Sequence, residues 1–215
     1  GGIPLPPGYL GQVDGMSRAR GGVCIADEVQ VGYGRLGHYF WGFDQQGVLP
    51  DIITVAKGMG NGQPLGAVIT RREIADALDN EGYFFSSAGG SPVSCVVGMT
   101  VLDIMRDEEL QENARDTGDY LKARLEALGQ RFAIVGAVHG MGLYLGLEFV
   151  RDRETLEPAT EETAAICDRL LDLGVIMQPT GDHLNVLKIK PPLCLSRDSA
   201  DFFAAMLEKV LSDGW

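Results

Sequence analysis

Three short apolar runs near the start of the sequence constrain the fold more than any other feature. Each run has four or five residues, is rich in β-branched side chains and shows no alternation of polar and apolar positions. The runs are residues 23–26, 52–56 and 67–70. Strands that are apolar at every position are typical of sheets covered on both faces, as in α/β proteins. We therefore expect an α/β fold.

Each of these runs is followed by a charged side chain, and two of these side chains have opposite charges that could act together. Asp27 comes after the first run, and Lys57 comes after the second. Lysine is rarely buried without a task or a partner, although this lysine could also emerge at the surface where its strand ends. Glycines at positions 58, 60 and 62 would let a planar group approach the backbone. An amine and a carboxylate at neighbouring strand ends are what a pyridoxal phosphate enzyme requires.

The rest of the sequence predicts further helices and strands. A short helix is expected at 72–78, and Ser91 and Pro92 are a good N-cap and first residue for another helix. Helical apolar spacing continues from 93 to 128, as one long helix or as two in series. Beyond it the pattern becomes α+β. The predicted strands are 133–138, 143–150, 175–178 and 185–190, with a turn at 139–142, and the predicted helices are 161–173 and 202–211.

Two segments have more than one interpretation. The stretch 86–92 is rich in serine and glycine and precedes a helix start, where hydroxyl and backbone N–H groups could hold a phosphate. An ordinary capped helix explains the same residues. The aromatic run 40–43 could line a pocket or an interface, or belong to the core. Both questions stay open on the residues alone.

Composition narrows the class of partner. The 215 residues carry a formal net charge of −12, which argues against a surface for nucleic acid or anionic membranes. No stretch approaches the roughly 20 apolar residues of a membrane span, and no signal peptide is recognisable. We therefore expect a cytoplasmic protein. The three histidines, His38, His139 and His183, are far apart in the sequence, so we expect no metal site.

The sequence opens in a segment rich in glycine and proline, without an initiator methionine. We therefore expect it to be the later part of a longer polypeptide.

Taken together, these segments resemble the class III aminotransferases, which belong to the fold-type I pyridoxal phosphate superfamily. The resemblance includes Asp-Glu-Val-Gln at 27–30, the run that ends in Lys57 and Gly-Gly-Ser-Pro at 89–92. The matching segments run almost end to end and are 3–10, 26–37, 50–58, 66–68, 89–92 and 190–193. The resemblance implies that residues 1–106 are part of the large, mainly parallel-sheet domain that binds the cofactor. Residues 107–215 would form the small C-terminal α+β domain.

The same resemblance implies roles for individual residues. Lys57 would form the Schiff base with pyridoxal 5′-phosphate, and Asp27 would pair with the pyridine nitrogen. Gln30 would hydrogen-bond near the phenolic oxygen of the ring. Ser87, at the place of a family threonine, would reach the phosphate of the neighbouring subunit's cofactor, which implies a homodimer with shared sites. Lys188 stands where many members have an arginine for the substrate carboxylate, and its point charge is a poorer clamp.

The activity implied is the transfer of an amino group between an amine or amino acid and a keto acid. The segment 185–192 and the aromatic run 40–43 look most like a branch that includes phospho-lyases acting on phosphoethanolamine. In this alternative the enzyme eliminates phosphate and ammonia from an amino-alcohol phosphate. A further alternative is that the chain is an incomplete and catalytically inactive fragment.

Overall fold

The computed structural model describes residues 4–82 and 84–215, which form two compact units. The N-terminal unit comprises Leu5–Gly34 and Tyr39–Gln111. The C-terminal unit comprises Glu112–Trp215 together with Pro4 and the short segment Arg35–His38. The division into domains at residues 1–106 and 107–215 stays a prediction, since these units are defined by contacts within this chain alone.

The N-terminal unit combines three α-helices with three short strands, in agreement with the α/β prediction. Its helices are α1 (Tyr9–Arg18), α2 (Arg72–Glu81) and α3 (Pro92–Asp107), and its strands are β1 (Ile25–Asp27), β2 (Ile52–Val55) and β3 (Ala67–Thr70). The sheet has the order β1-β2-β3, with β1 parallel to β2 and β3 antiparallel to β2. Because β1 and β2 are parallel, their carboxyl ends lie at the same edge of the sheet.

The strands and helices of this unit largely follow the sequence pattern. The strands predicted at 52–56 and 67–70 are confirmed. The first strand begins two residues later than predicted, because the Cys24 carbonyl accepts the N–H groups of Asp51 and Ile52 before the β1 ladder starts. Helix α1 has no counterpart among the predicted elements. Its apolar residues Tyr9, Val13 and Met16 recur at helical spacing, but none of its residues is buried, and this pattern was not used in the sequence analysis.

Within the described part of the chain, the faces of this sheet are not fully covered by other elements. Ile25 on β1 is 60% exposed and Val68 on β3 is 65% exposed. The apolar runs therefore form strands as predicted, while part of their apolar surface has no cover within the described part of this chain.

The C-terminal unit packs three helices on an antiparallel sheet. Its helices are α4 (Leu110–Arg131, of which the first two residues belong to the other unit), α5 (Thr160–Asp172) and α6 (Arg197–Asp213). Its strands are β4 (Val135–Met141), β5 (Tyr144–Phe149), β6 (Pro179–Thr180) and β7 (Val186–Ile189), in the order β4-β5-β7-β6. The core lies between the sheet and the helices, with Leu145, Leu147 and Leu187 fully buried.

The predictions for the segments 93–128 and 139–142 need refinement or correction. The helical pattern from 93 to 128 forms two helices in series, because Glu109 has a φ of 50° in the left-handed region and interrupts the helix. The turn predicted at 139–142 is misplaced, since β4 continues to Met141 and the chain turns at Gly142, where φ is 55°.

The strand predicted at 175–178 is wrong. Only Pro179 and Thr180 pair with β7, so the preceding residues are extended without a ladder partner. Their alternation is nevertheless real, because Val175 and Met177 pack against the core while Ile176 is 83% exposed. None of the helices that the structure describes combines the length and the apolar character needed to cross a membrane.

Candidate active site

Lys57 lies two residues beyond the carboxyl end of β2 and begins a 3-10 turn that runs to Met59. Its side chain is exposed, and Nζ donates a hydrogen bond to Oε1 of Gln30 at 2.7 Å. Its backbone has a φ of 42°, a left-handed conformation that is unusual for a residue other than glycine. Such strained backbones persist where the surroundings hold them, and they are frequent at functional sites.

Asp27 is the last residue of β1 and is paired in register with Thr54 on β2. Its exposed carboxylate accepts the backbone N–H of Val29 at 3.1 Å, and this contact starts the turn that carries Gln30. Asp27, Gln30 and Lys57 therefore lie toward the same edge of the sheet, where Lys57 contacts Gln30 directly. Among the residues that the structure describes, no carboxylate forms an ion pair with Lys57, so its amine faces a neutral acceptor.

The space beside Lys57 suits a planar aromatic cofactor. A Cβ added at Gly58 would have Tyr33 as its nearest neighbour at 3.7 Å, and a Cβ at Gly62 would have nothing within 4 Å. An amine, a carboxylate and an amide around open space are the donor and acceptor set that pyridoxal phosphate needs. The chain's own residues therefore fit this cofactor.

Ser87 lies in an exposed bend before α3. The hydroxyl of its neighbour Ser86 accepts the N–H of Gly89 at 3.0 Å, so this serine stabilises the turn that leads to the helix. Ser91 makes no side-chain cap contact with the helix. The predicted contact of Ser87 with a phosphate stays a prediction.

Glu28 has a structural role that the sequence did not reveal. It is only 4% exposed, and its two carboxylate oxygens accept the backbone N–H groups of Gly42 at 2.7 Å and Phe43 at 3.0 Å. Burial raises the pKa of the Glu28 carboxyl, and the two N–H donors oppose this rise. The side chain thus ties the turn after Asp27 to the aromatic run. The only sequence signals of this role are a carboxylate directly after a short strand and a glycine in an aromatic run.

The aromatic run 40–43 forms a cluster with Tyr33. Phe40 lies with its ring centroid 5.4 Å from that of Tyr33, and Trp41 meets both rings edge-on at 5.9 and 4.9 Å. Gly42 is required within it, because a Cβ there would lie 2.5 Å from Cγ2 of Val31. Phe43 is buried, while Phe40 and Trp41 are partly exposed. The run is therefore a packed support for the turn that carries Gln30.

A buried carboxylate fixes the opposite end of β1 and β2. Asp51 accepts the Cys24 N–H at 2.8 Å and forms ion pairs with Arg71 at 2.9 Å and Arg18 at 3.3 Å. The Cys24 hydrogen bond and the two guanidinium groups lower the pKa of Asp51. This network holds the two strands at their starts, so that their ends present Asp27 and Lys57 together.

Lys188 lies in the C-terminal unit, in the middle of β7. It is directly opposite Gly146 on β5, which is itself opposite His139 on β4, so the three residues form a row on one face of the sheet. Nε2 of His139 lies 2.8 Å from Oε2 of Glu148. Lys188 is half-buried and lines a cavity of about 600 Å³ in this unit. Its ammonium has no hydrogen-bond or ion-pair partner among the described residues.

Within residues 4–82 and 84–215, the structure contains no cluster of three histidine, cysteine, aspartate or glutamate residues that could bind a metal ion.

Comparison with known protein families and sequences gives consistent matches. The family model described as Aminotransferase class-III matches residues 1–211. Alanine–glyoxylate aminotransferase 2 homolog 2, mitochondrial, of Arabidopsis thaliana is 46% identical over 210 residues, which are 98% of this chain and 44% of that protein. Alanine–glyoxylate aminotransferase 2, mitochondrial, of Homo sapiens is 40% identical over 211 residues, which are 98% of this chain and 41% of that protein.

Comparison with solved structures gives the same picture. A phospholyase from Arthrobacter in complex with phosphoethanolamine superposes with a TM-score of 0.95 at 39% identity, over 99% of this chain and 50% of that one. An amine transaminase from an uncultivated Pseudomonas species, in its PLP-bound form, superposes with a TM-score of 0.87 at 35% identity, over 97% and 49%. The chain thus spans about half the length of the relatives it matches.

Proposed function

Because the chain belongs to the class III aminotransferase family, we propose that the protein transfers an amino group between an amine or amino acid and a keto acid. The predicted family resemblance is thereby confirmed. The cofactor we propose is pyridoxal 5′-phosphate. The observation that carries this proposal is the position of Asp27, Gln30 and Lys57 toward the same edge of a parallel strand pair, with the lysine amine on a neutral acceptor.

Each of these residues has a defined task in the proposed reaction. When bound, pyridoxal phosphate supplies an electron-accepting ring that stabilises negative charge on the substrate carbon. Nζ of Lys57 would hold the cofactor aldehyde covalently and, as a free amine, would carry a proton at that atom. The carboxylate of Asp27 would hold a proton on the ring nitrogen. The side chain of Gln30 would hydrogen-bond the phenolic oxygen.

Two further residues have proposed roles in binding. The ammonium of Lys188 binds the anionic group of the substrate, which its lack of a partner in the described chain supports. Ser87 binds the phosphate of a second subunit's cofactor, and the protein is then a homodimer with shared sites. Its cytoplasmic location stays a prediction.

A phospho-lyase is the second candidate, and one observation favours it specifically. The Arthrobacter phospholyase superposes with a TM-score of 0.95. Lysine at position 188 also suits a phosphate, because its point charge does not require the planar geometry that a carboxylate offers arginine. Incubation of the intact protein with phosphoethanolamine and no keto acid separates the two. Steady release of inorganic phosphate identifies a lyase, whereas a single turnover that then stops identifies a transaminase.

A third candidate is that the chain alone is inactive. It spans about half the length of its relatives, and apolar residues of its N-terminal sheet are exposed. The visible absorbance of bound cofactor distinguishes this case. If the 215-residue chain develops no such band with pyridoxal phosphate while a longer polypeptide does, the chain needs the remaining length.

The proposed function is tested by covalent trapping. Borohydride reduction of the intact protein with pyridoxal phosphate, followed by peptide mapping, should place the label on Lys57. The Lys57→Ala variant should lose the label. Lys209→Ala, which removes a surface lysine paired with Asp213, should keep it. A label at another lysine in the unsubstituted protein would refute the proposal.

A further inference from the structure

The segment Arg35–His38 belongs to the C-terminal unit, although the residues on both sides of it belong to the N-terminal unit. It starts five positions after Gln30, so the chain that carries the cofactor residues leads directly into it. Within the C-terminal unit it contacts α4 and the turn between β4 and β5.

Arg35 holds this segment in place through two backbone carbonyl groups. Its Nη1 donates to the carbonyl oxygen of Leu143 at 3.1 Å and to that of Pro191 at 2.8 Å. The backbone adds a third bond, because the N–H of Leu143 donates to the carbonyl of Arg35 at 3.0 Å. Leu143 lies in the β4–β5 turn, and Pro191 lies three residues beyond Lys188.

Within the part of the chain that the structure describes, the Arg35 guanidinium has no counter-ion. Among the described residues its hydrogen-bond acceptors are the two carbonyl groups, and no carboxylate pairs with it. Burial lowers the pKa of Arg35, and the nearby Tyr144 side chain opposes this effect. A buried cation loses its hydrating water at a cost in free energy, and hydrogen-bond acceptors held in place by the protein offset this cost. The two carbonyl groups are therefore fixed at the place that the guanidinium requires.

Close backbone packing makes this contact rigid. A Cβ added at Gly142 would overlap the backbone of Leu36, and a Cβ added at Gly37 would overlap the backbone of Arg115 on α4. A Cβ at Gly118 on α4 would overlap Gly142 in turn. Three backbone segments thus touch directly, with no flexible side chain between them to absorb a shift.

We propose that Arg35 is a positioning residue that fixes the end of β7 and thereby sets the position of the Lys188 ammonium. This inference rests on the proposed role of Lys188 in binding the substrate anion. The Pro191 carbonyl is the point at which Arg35 acts on the strand. Arg35 itself touches neither substrate nor cofactor.

Hydrogen exchange of the intact protein tests the structural part directly. Arg35→Met removes the donor but keeps an apolar side chain of similar reach. It should accelerate amide exchange at 186–190 and 141–145. Arg153→Met is the matched control, because Arg153 also donates to backbone carbonyl groups of the C-terminal unit, those of Phe132, Ala133 and Val135. It should accelerate exchange at 129–135 instead. Unchanged exchange at 186–190 in Arg35→Met would overturn the proposal.

A pair of ligands tests the functional part. Phosphoethanolamine and ethanolamine share the amine and differ in the anionic group, and the absorbance of the bound cofactor reports binding of either. Arg35→Met should raise the dissociation constant for phosphoethanolamine by about tenfold, which is the loss of one charge-assisted contact. Binding of ethanolamine should change by less than about twofold, and Arg153→Met should change neither.

The Lys188→Met variant separates failure of this inference from failure of the proposed function. If Lys188→Met leaves phosphoethanolamine binding unchanged, the proposed role of Lys188 is wrong, and the exchange result alone then decides the role of Arg35. If Lys188→Met weakens phosphoethanolamine binding and Arg35→Met does not, the inference about Arg35 is wrong while the proposed role of Lys188 stands.

Discussion

At the scale of single residues, the backbone of Lys57 is as informative as its side chain. A left-handed conformation costs an L-residue about 1–2 kcal/mol, because Cβ approaches the following carbonyl oxygen. Lys57 has this conformation at φ 42°, in the turn that aims Nζ at Gln30. The strain is local and is retained where the side chain has a task.

Relief of this strain gives a first prediction. In the cofactor-free protein, Lys57→Gly should be more stable than Lys57→Ala by roughly 0.5–1 kcal/mol, since glycine adopts positive φ without the clash and loses part of the gain to unfolded-state entropy. Denaturant unfolding of the two variants measures the difference. Equal stability, or a more stable alanine variant, would show that the turn is not strained.

Asp51 gives a second prediction, on the pH dependence of stability. Its pKa is lowered in the folded protein by the Cys24 N–H and by Arg18 and Arg71. A lowered pKa means that the carboxylate stabilises the fold above its unfolded pKa of about 4, and that this contribution is lost as the pH falls further. The gap in unfolding temperature between the unsubstituted protein and Asp51→Asn should therefore be widest near neutral pH and should close below about pH 4.

The exposed Asp79 is the matched control for this measurement. Asp79→Asn should leave the unfolding temperature close to that of the unsubstituted protein across the same pH range. A gap for Asp51→Asn that stays constant on acidification would contradict the role assigned to its charge.

The residues that sequence analysis found and missed differ in what they contact. Asp27 and Lys57 were recognisable because a carboxylate and an amine that directly follow apolar runs already indicate a pyridoxal phosphate site. Glu28 and Arg35 were not, because their partners are backbone groups. Glu28 contacts the amides of Gly42 and Phe43, and Arg35 contacts carbonyl groups 108 and 156 positions away. A backbone partner leaves no residue-type signal in the sequence.

At the scale of secondary-structure elements, α4 is constrained by a single glycine. Gly118 lies where the helix meets the β4–β5 turn, and an added Cβ would overlap the backbone of Gly142. Backbone cannot rotate away as a side chain can, so the helix itself would have to move. This contact explains why a glycine, which is unfavourable in a helix interior, is present at this point.

Paired alanine substitutions form the third prediction. Gly118→Ala should lower the free energy of unfolding by about 3 kcal/mol, because of the overlap with fixed backbone. Gly15→Ala, in the interior of α1 with nothing within 4 Å of the added Cβ, should raise it by roughly 0.5–1 kcal/mol through helix propensity. Denaturant unfolding of both variants checks the opposite signs. A neutral Gly118→Ala variant would show that the helix can shift.

Apolar spacing in the sequence predicted most helices, although not all of them. Helices α5 and α6 bury residues at helical spacing, and α5 lies within one residue of its predicted bounds, whereas α6 begins five residues earlier than predicted. Helix α1 carries Tyr9, Val13 and Met16 at helical spacing but buries no residue, and its pattern was not recognised in the sequence. The segment 175–178 shows the opposite error, because its alternation reflects packing of Val175 and Met177 against the core rather than pairing with β7. Alternating apolar and polar residues indicate which side chains are buried. They do not show that the backbone pairs with another strand.

At the scale of the whole molecule, buried apolar side chains are unevenly divided. The core cluster lies entirely between Leu121 and Leu211, in the C-terminal unit. In the N-terminal unit, several apolar side chains are more exposed than buried. They are Val23, Ile25, Val68, Val93, Val96 and Met99, each more than half exposed. The two units should therefore differ in stability when only these 215 residues are present.

Limited proteolysis of the 215-residue chain checks this fourth prediction. Cleavage should begin in the N-terminal unit, and a fragment that contains residues 112–215 should accumulate, because exposed backbone and a small core favour local unfolding. Mass spectrometry of the resistant fragment gives the answer. Accumulation of a fragment from residues 5–111 would contradict the uneven division.

The segment Arg35–His38 has a consequence for any attempt to divide the gene. Expression of codons 112 to 215 alone would yield a polypeptide with a vacant groove beside Arg115 and Gly142, since the four residues that occupy it are encoded upstream. A synthetic peptide with the sequence of residues 33–40 would be the complement of that groove. If this peptide restores the folding of the 112–215 polypeptide, the peptide and the polypeptide could serve as the two halves of a split-protein reporter.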